Sequence, residues 1–225
     1  MHEDPCGGGN GLPTFRPVPL IGYFILAVAA YLVGSIPTGF LVAKAMGVDI
    51  RAVGSGNIGA TNAFRILGKG PGSFVLLFDA FKGWSAVMLL VPLIAGWNFC
   101  EDCESVRLLA GLAAVVGHNY TCWLKFKGGK GIATSAGVLL AWMPPVLLTI
   151  LAVWIVVFYA SKYVSLASVA AAVALPISAL AWRYSWTYFG VSLCLAILAI
   201  YKHKPNIQRL IAGTENRVGS NKGVV

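Results

Sequence analysis

Charge is what this chain has least of. Only 11% of its 225 residues are Asp, Glu, Lys or Arg, and only eight residues are acidic. An ordinary soluble domain carries about a quarter of its residues as charges, so that class is excluded. No D-x-D or D-x-x-D occurs, which argues against a two-metal phosphoryl transferase, since its ions need grouped carboxylates. G-x-S-x-G is missing too, because Val53 stands where its first Gly would be. There is no H-x-x-x-x-D, for His118 is followed at that spacing by Trp123 and His203 by Gln208. Cysteines number five, and only Cys100 and Cys103 form a C-x-x-C. Zinc wants four ligands, so the pair reads either as a local disulfide in an oxidising compartment or as two incidental cysteines.

What the chain has is apolar length. Hydrophobic residues make up 58% of it, and runs of about 20 recur, enough to cross a bilayer as helix. The spacing predicts an all-α, polytopic membrane protein with about seven transmembrane helices. They run from about Leu20 to Met46 with a kink at Pro37, Pro71 to Gly96, Ser105 to Leu124, Ile132 to Met143, Val146 to Ala160, Val164 to Trp182 and Trp186 to Tyr201. The fourth is short for a crossing and reads as short or re-entrant. Residues 1–19 are rich in Gly and Pro and read as a disordered tail, residues 20–217 as one transmembrane domain, and residues 218–225 as a flexible tail. Ala27-Val28-Ala29 resembles a signal cleavage site, but the apolar run is too long for a signal peptide.

The net charge of +9 reads as topology, not nucleic-acid binding. Lys44, Arg51, Arg65 and Lys69 follow the first stretch, Lys125, Lys127 and Lys130 the third, Lys162 the fifth, and Lys202, Lys204, Arg209, Arg217 and Lys222 the last. The other side receives Arg16, Arg107 and Arg183 with the acidic cluster Glu101, Asp102 and Glu104. The positive-inside rule then puts the N-terminus outside and the C-terminus in the cytoplasm. Seven crossings satisfy that parity, and so do five with a hairpin that does not fully cross.

Four constellations fall on the basic face. Gly54-Ser55-Gly56-Asn57-Ile58-Gly59-Ala60-Thr61-Asn62-Ala63-Phe64-Arg65 is built to turn backbone N–H groups toward one anion. Residues 60–67 can wind into a helix that brings Arg65 one turn after Thr61. Gly54, Gly56 and Gly59 also spell the dinucleotide fingerprint, but a long apolar helix precedes them where a short strand is required. Lys127-Gly128-Gly129-Lys130-Gly131 lacks the spacing and the Ser/Thr of a Walker loop; a flexible backbone with two ammonium groups suits an anionic head group. Ser165 and Ser168 either line one face at a helix start or serve as a cap and a packing serine. His203 and Asn206 are ringed by cations and either orient a phosphate or are merely solvated. Within the membrane, Asp79 and Lys82 stand three apart, as a functional pair or as a structural ion pair supporting the site.

In combination, four motifs resemble the PlsY family of bacterial acyl-phosphate:glycerol-3-phosphate acyltransferases. They are Ser55-Gly56-Asn57-Ile58-Gly59-Ala60-Thr61-Asn62 through Arg65; Gly117-His118 leading to Phe126-Lys127-Gly128-Gly129-Lys130-Gly131-Ile132-Ala133-Thr134; Tyr163-Val164-Ser165-Leu166-Ala167-Ser168; and His203, Asn206-Ile207, Arg209-Leu210 with Gly213-Thr214-Glu215. The likeness covers nearly the whole chain less its tails. Two departures are Thr121, where the family has Pro, and the longer N-terminal tail. The resemblance implies an enzyme of the bacterial inner membrane, active on its cytoplasmic face, that begins phospholipid synthesis. It would move a fatty acyl group from an acyl phosphate to the 1-hydroxyl of glycerol 3-phosphate, giving lysophosphatidate and phosphate. The missing H-x-x-x-x-D agrees, because acyl-CoA-dependent enzymes carry it. The implied partners are the two substrates and membrane lipids, with no nucleic acid, metal or other cofactor; the oligomeric state is left open, a monomer being plausible.

The expected catalytic residues are Ser55, Arg65, Lys130, His203 and Asn206. Substrate binding falls to Gly56, Asn57, Gly59, Thr61, Asn62, Gly128, Gly129, Ser165 and Ser168. Ser55, Asn57, Thr61 and Arg65 would hold one phosphate and Lys130 with Gly128 and Gly129 the other, while Ser168, His203 and Asn206 position the glycerol phosphate. A proton acceptor is either His203 or a substrate phosphate. Two rivals predict other things: a transporter of an anionic solute needs inverted repeats and a midplane site, and an intramembrane serine hydrolase needs a base beside Ser55.

Overall fold

The computed structural model describes residues 19–95 and 104–219. The expectations for residues 1–18, for Cys100 and Cys103, and for residues 220–225 lie outside them. The described residues form eleven α-helices and one 3₁₀ turn: α1 Leu20–Ser35, α2 Thr38–Ala45, α3 Ala60–Leu67, α4 Lys69–Met88, α5 Leu90–Ala95, α6 Glu104–Asn119, the turn Cys122–Leu124, α7 Ile132–Trp142, α8 Pro144–Ser161, α9 Val164–Ala181, α10 Trp186–Lys202 and α11 Lys204–Ile211.

Prolines divide the first two apolar stretches. Pro37 lacks the N–H that would continue the ladder, so the chain is not merely kinked there but broken into α1 and α2. The segment Leu20–Ala45 still reads as one apolar span of 26 residues. Pro92 likewise leaves the Met88 carbonyl without its donor, and the second stretch, expected as one helix, divides at Leu89 into α4 and α5. Two further spans are α8 and α9. The 11 residues of α7 reach about 16 Å at 1.5 Å per residue, half a bilayer core, which matches the short fourth stretch.

The third stretch ends earlier than the apolar pattern suggests. α6 stops at Asn119, and the Thr121 hydroxyl donates to the Ser35 carbonyl at 2.6 Å, drawing the chain back against α1. Thr121 has φ −63°, the value proline would impose, so the substitution keeps the turn. The apolar periodicity sees none of this, because Cys122, Trp123 and Leu124 continue it. α11 also differs from expectation: the basic tail after Lys202 folds as a helix with Pro205 in its first turn, where its missing N–H costs nothing.

Without water to drive helices together, close approach does it. At Gly137 on α7 an added Cβ would stand 1.8 Å from the Ala80 carbonyl of α4, and at Gly83 on α4 one would stand 2.2 Å from that of Thr134. α4 and α7 therefore touch backbone to backbone. Leu139, Met143 and Val146 pack with Leu175 and Leu195 into one buried cluster. A second joins α1 to α6 through Leu26, Ala30, Val106 and Ala114. A third, Ile50, Ile58, Ala63 and Val75, fixes the loop between α2 and α3 upon α4. α8 buries only Val146.

Candidate active site

The loop between α2 and α3 is wound around one side chain. Buried Asn62 donates through Nδ2 to the carbonyls of Ile50 at 3.2 Å and Val53 at 3.1 Å, and its Oδ1 accepts the Ser55 N–H at 3.0 Å. Asn57 Oδ1 accepts the Gly59 N–H at 2.8 Å. Gly54 and Gly56 adopt φ of 61° and 67°, where L side chains are strained. α3 then runs from Ala60 to Leu67, the span the sequence suggests, and Thr61 and Arg65 lie on its exposed side. Asn62, expected to bind substrate, has its amide engaged inside the loop, where it holds the Ser55 N–H.

Across from this loop stands Lys130. Gly128 and Gly129 are expected to hold a phosphate with Lys130, but their N–H groups are engaged, donating to the carbonyls of Asn119 at 3.2 Å and His118 at 3.0 Å. Their role is space. A Cβ on Gly128 would lie 2.0 Å from the His118 carbonyl, and one on Gly129 would lie 2.2 Å from His118 Nε2. The glycines let the loop press onto α6, and Lys130 emerges from it.

The third wall is the start of α9 with the α10–α11 junction, closed by the chain after α11. That chain folds back until the Val218 N–H donates to the Lys162 carbonyl at 2.9 Å. Lys130 Nζ donates to Asn206 Oδ1. Glu215 accepts from three sides: Asn206 Nδ2 at 2.7 Å, Ser165 Oγ at 2.9 Å and Arg209 Nε at 2.7 Å. Ser168 Oγ donates to the Val164 carbonyl at 2.9 Å and accepts from Trp154 Nε1 at 3.2 Å.

These parts enclose a cavity of about 330 Å³. Of the residues expected in the site, Ser55, Asn57, Gly59, Thr61, Asn62, Arg65, Lys130, Ser165, Ser168, His203 and Asn206 line it. Gly56, Gly128 and Gly129 are not among its lining residues. Arg209 and Glu215 line it as well, as do Asp79 and His118. In the sequence Arg209 and Glu215 stand only as parts of a motif. Their pairing bridges six positions across a helix end, a spacing that no periodicity marks. An apolar pocket of about 100 Å³ adjoins, sharing Ile132, Ala136, Leu151, Trp154 and Ser168 with the first. The described residues bring no three His, Cys, Asp or Glu side chains together as metal ligands.

Burial shapes the site's charges. Lys130 is pushed down to about 8, chiefly by loss of water; Glu215 pulls it back up and Arg209 and Arg65 press it further down. His203 is pushed down to about 4 by burial and then by the Lys130 charge. Its Nδ1 lies 2.7 Å from the Ala199 carbonyl. A carbonyl can only accept, so Nδ1 carries the proton and neutral His203 offers Nε2 as an acceptor. Glu215 is held below the ordinary carboxylate range: burial opposes this, but the bonds from Asn206, Ser165 and Arg209 outweigh it.

A pH profile follows. An amine is charged below its pKa, so kcat/KM should fall as pH rises through about 8 if Lys130 must be cationic. Lys130→Arg should move that limb out of range, since guanidinium stays charged. No acid limb should arise from His203 near its ordinary 6.5, because the ring is already neutral there. Steady-state rates of both proteins across the range check this, and a limb near 6.5 abolished by His203→Gln would count against it.

Residues 24–213 match the sequence profile of a family described as glycerol-3-phosphate acyltransferase. The chain is 44% identical to the glycerol-3-phosphate acyltransferase of Thermosynechococcus vestitus over 208 residues, covering 88% of this chain and 96% of that one. It is 46% identical over 198 residues to that of Geobacter sulfurreducens, covering 88% and 98%. A crystal structure of PlsY, an integral membrane glycerol 3-phosphate acyltransferase, in its glycerol 3-phosphate form superposes with a TM-score of 0.79 at 40% identity, covering 88% of this chain and 96% of that one. The lysophosphatidic acid form gives 0.77 at 39%, covering 88% and 95%.

Proposed function

The chain belongs to the glycerol-3-phosphate acyltransferase family, and from that premise we propose that it moves a fatty acyl group from an acyl phosphate to the 1-hydroxyl of glycerol 3-phosphate. The products are lysophosphatidate and phosphate, and the reaction belongs to phospholipid synthesis at the cytoplasmic face of the bacterial cell membrane. The observation that carries this reading is one cavity with cationic groups on two walls and an apolar annex. Arg65 with the Ser55 loop stands on one wall; Lys130, bonded to Asn206 of the third wall, stands on another. Two phosphates and one hydrocarbon chain need that set.

An acyl phosphate is an activated mixed anhydride, so no covalent enzyme intermediate is required. The hydroxyl oxygen attacks the acyl carbon, the bond from that carbon to the phosphate oxygen breaks, and the hydroxyl proton must leave. His203 Nε2 is a poor acceptor at about 4. A phosphate oxygen, with a second pKa of about 6 in phosphoryl groups, becomes the better base as the anhydride bond breaks. The chain's own contribution is to hold two anions against their repulsion, place hydroxyl near carbonyl, and oppose charge that develops on the carbonyl oxygen. Ser55, held through its N–H by Asn62, and Lys130, held by Asn206, are the fixed donors nearest those tasks.

The donor is tested with purified protein in lipid. Glycerol 3-phosphate is supplied with palmitoyl phosphate or, separately, with palmitoyl-CoA, and lysophosphatidate is followed. Product from the phosphate alone is expected. Product from the thioester alone overturns the donor, and product from neither, in folded protein, overturns the acyltransferase reading.

A further inference from the structure

Beneath the cavity, α4 carries a buried ion pair. Asp79 and Lys82 are each 2% exposed, and Lys82 Nζ lies 2.8 Å from Asp79 Oδ1. Aliphatic side chains would fill this space without the desolvation that a buried pair costs. Packing therefore gives no reason for charges here. The contacts do, since they reach two parts of the site's frame, one by hydrogen bonds and the other by close approach.

On one side the Thr38 hydroxyl donates to Asp79 Oδ1 at 3.0 Å, and Lys82 Nζ donates to the Ile36 carbonyl at 2.8 Å. Both contacts fall at the break between α1 and α2. The next residue, Gly39, runs so close to the loop that an added Cβ would stand 1.9 Å from the Ile58 carbonyl. The position of α2 thus sets that of the loop bearing Ser55 and Asn57. On the other side His118 Nδ1 lies 3.7 Å from Asp79 Oδ1. It is buried and has no hydrogen-bond partner. The His118 ring is the floor on which Gly129 rests, and its carbonyl accepts the Gly129 N–H. Lys130 is the next residue. One carboxylate is therefore bonded to the frame of one wall and lies against the ring that supports the other.

We infer that Asp79 is a positioning residue, which sets the spacing between the Ser55 loop and the Lys130 loop through Thr38 on α2 and His118 on α6. It touches no substrate group in this account, which rests on the acyltransferase reading for its kinetic consequence.

Two variants test it. Asp79→Leu with Lys82→Met removes both charges and keeps the volume, so a pair that served only charge balance would lose nothing. The expected result is near-native thermal unfolding with kcat/KM down about 100-fold, the scale of a displacement of about 1 Å at a reacting centre. Amide hydrogen exchange across residues 50–59 and 125–131 should quicken about tenfold as both loops loosen. Thr38→Val keeps the charges and removes one bond; kcat/KM should fall about tenfold, with faster exchange in residues 50–59 only. Native kinetics and native exchange in the charge-free pair overturn the inference. Should that pair not fold, native exchange in Thr38→Val overturns it. Exchange is read without turnover, so a wild-type protein that makes no lysophosphatidate would sink the functional reading and leave the clamp to be decided by exchange.

Discussion

Lys130→Met should lower kcat/KM for both substrates by about 1,000-fold while the protein stays folded. Lys130 is the ammonium that the glycine loop carries into the cavity, and its bond to Asn206 aims it. Preorganised charge in a site with little water is worth about 3–4 kcal/mol when removed, and methionine preserves the stem's packing. Folding should survive, since burying this amine already lowers its affinity for a proton, which is the signature of a charge held against its preference. Rates in detergent alongside thermal unfolding measure both quantities. A variant within tenfold of wild type would remove Lys130 from the chemistry.

Glu215→Ala should cost both stability and turnover. Three donors converge on that carboxylate. Its side chain is 7% exposed, while that of Arg209 is 36% exposed. Removing the acceptor takes the partner from Arg209 Nε, Asn206 Nδ2 and Ser165 Oγ, at a cost of about 3 kcal/mol. Asn206, once released, no longer fixes Lys130, so kcat/KM should also fall about 100-fold. Thermal unfolding and kinetics read the two effects. Arg209→Ala in the same background should add little, because the interaction it would break is already gone. Full additivity would refute the shared network.

Much of the fold was legible in the sequence because bilayer-length apolar runs impose helix. α3 was legible to the residue, since a Gly-rich loop fixes its start and Gly68 its end. The breaks at Pro37 and Leu89 were less so, because a proline in an apolar run can kink or divide and the difference lies in tertiary contacts. α6 stops short for a reason no local pattern carries: Thr121 bonds to Ser35, 86 residues away. The loops that line the cavity were legible as a set, and the contacts within them were not. Gly128 and Gly129 resemble anion-binding glycines in composition, and only their packing on His118 shows that their N–H groups are engaged. Glu215 is acidic in a cavity lined by cations, which argues against it until its three donors are seen.

The annex that opens from the polar cavity through Leu151 and Trp154 borders α8, the helix whose only buried residue is Val146. A substrate with a long tail would then arrive and depart sideways, in two dimensions. For such a molecule molarity has little meaning; what sets saturation is its mole fraction among the lipids. Diluting it with inert lipid at constant bulk concentration should slow the enzyme, whereas the same dilution should leave the apparent KM for the water-borne partner unchanged.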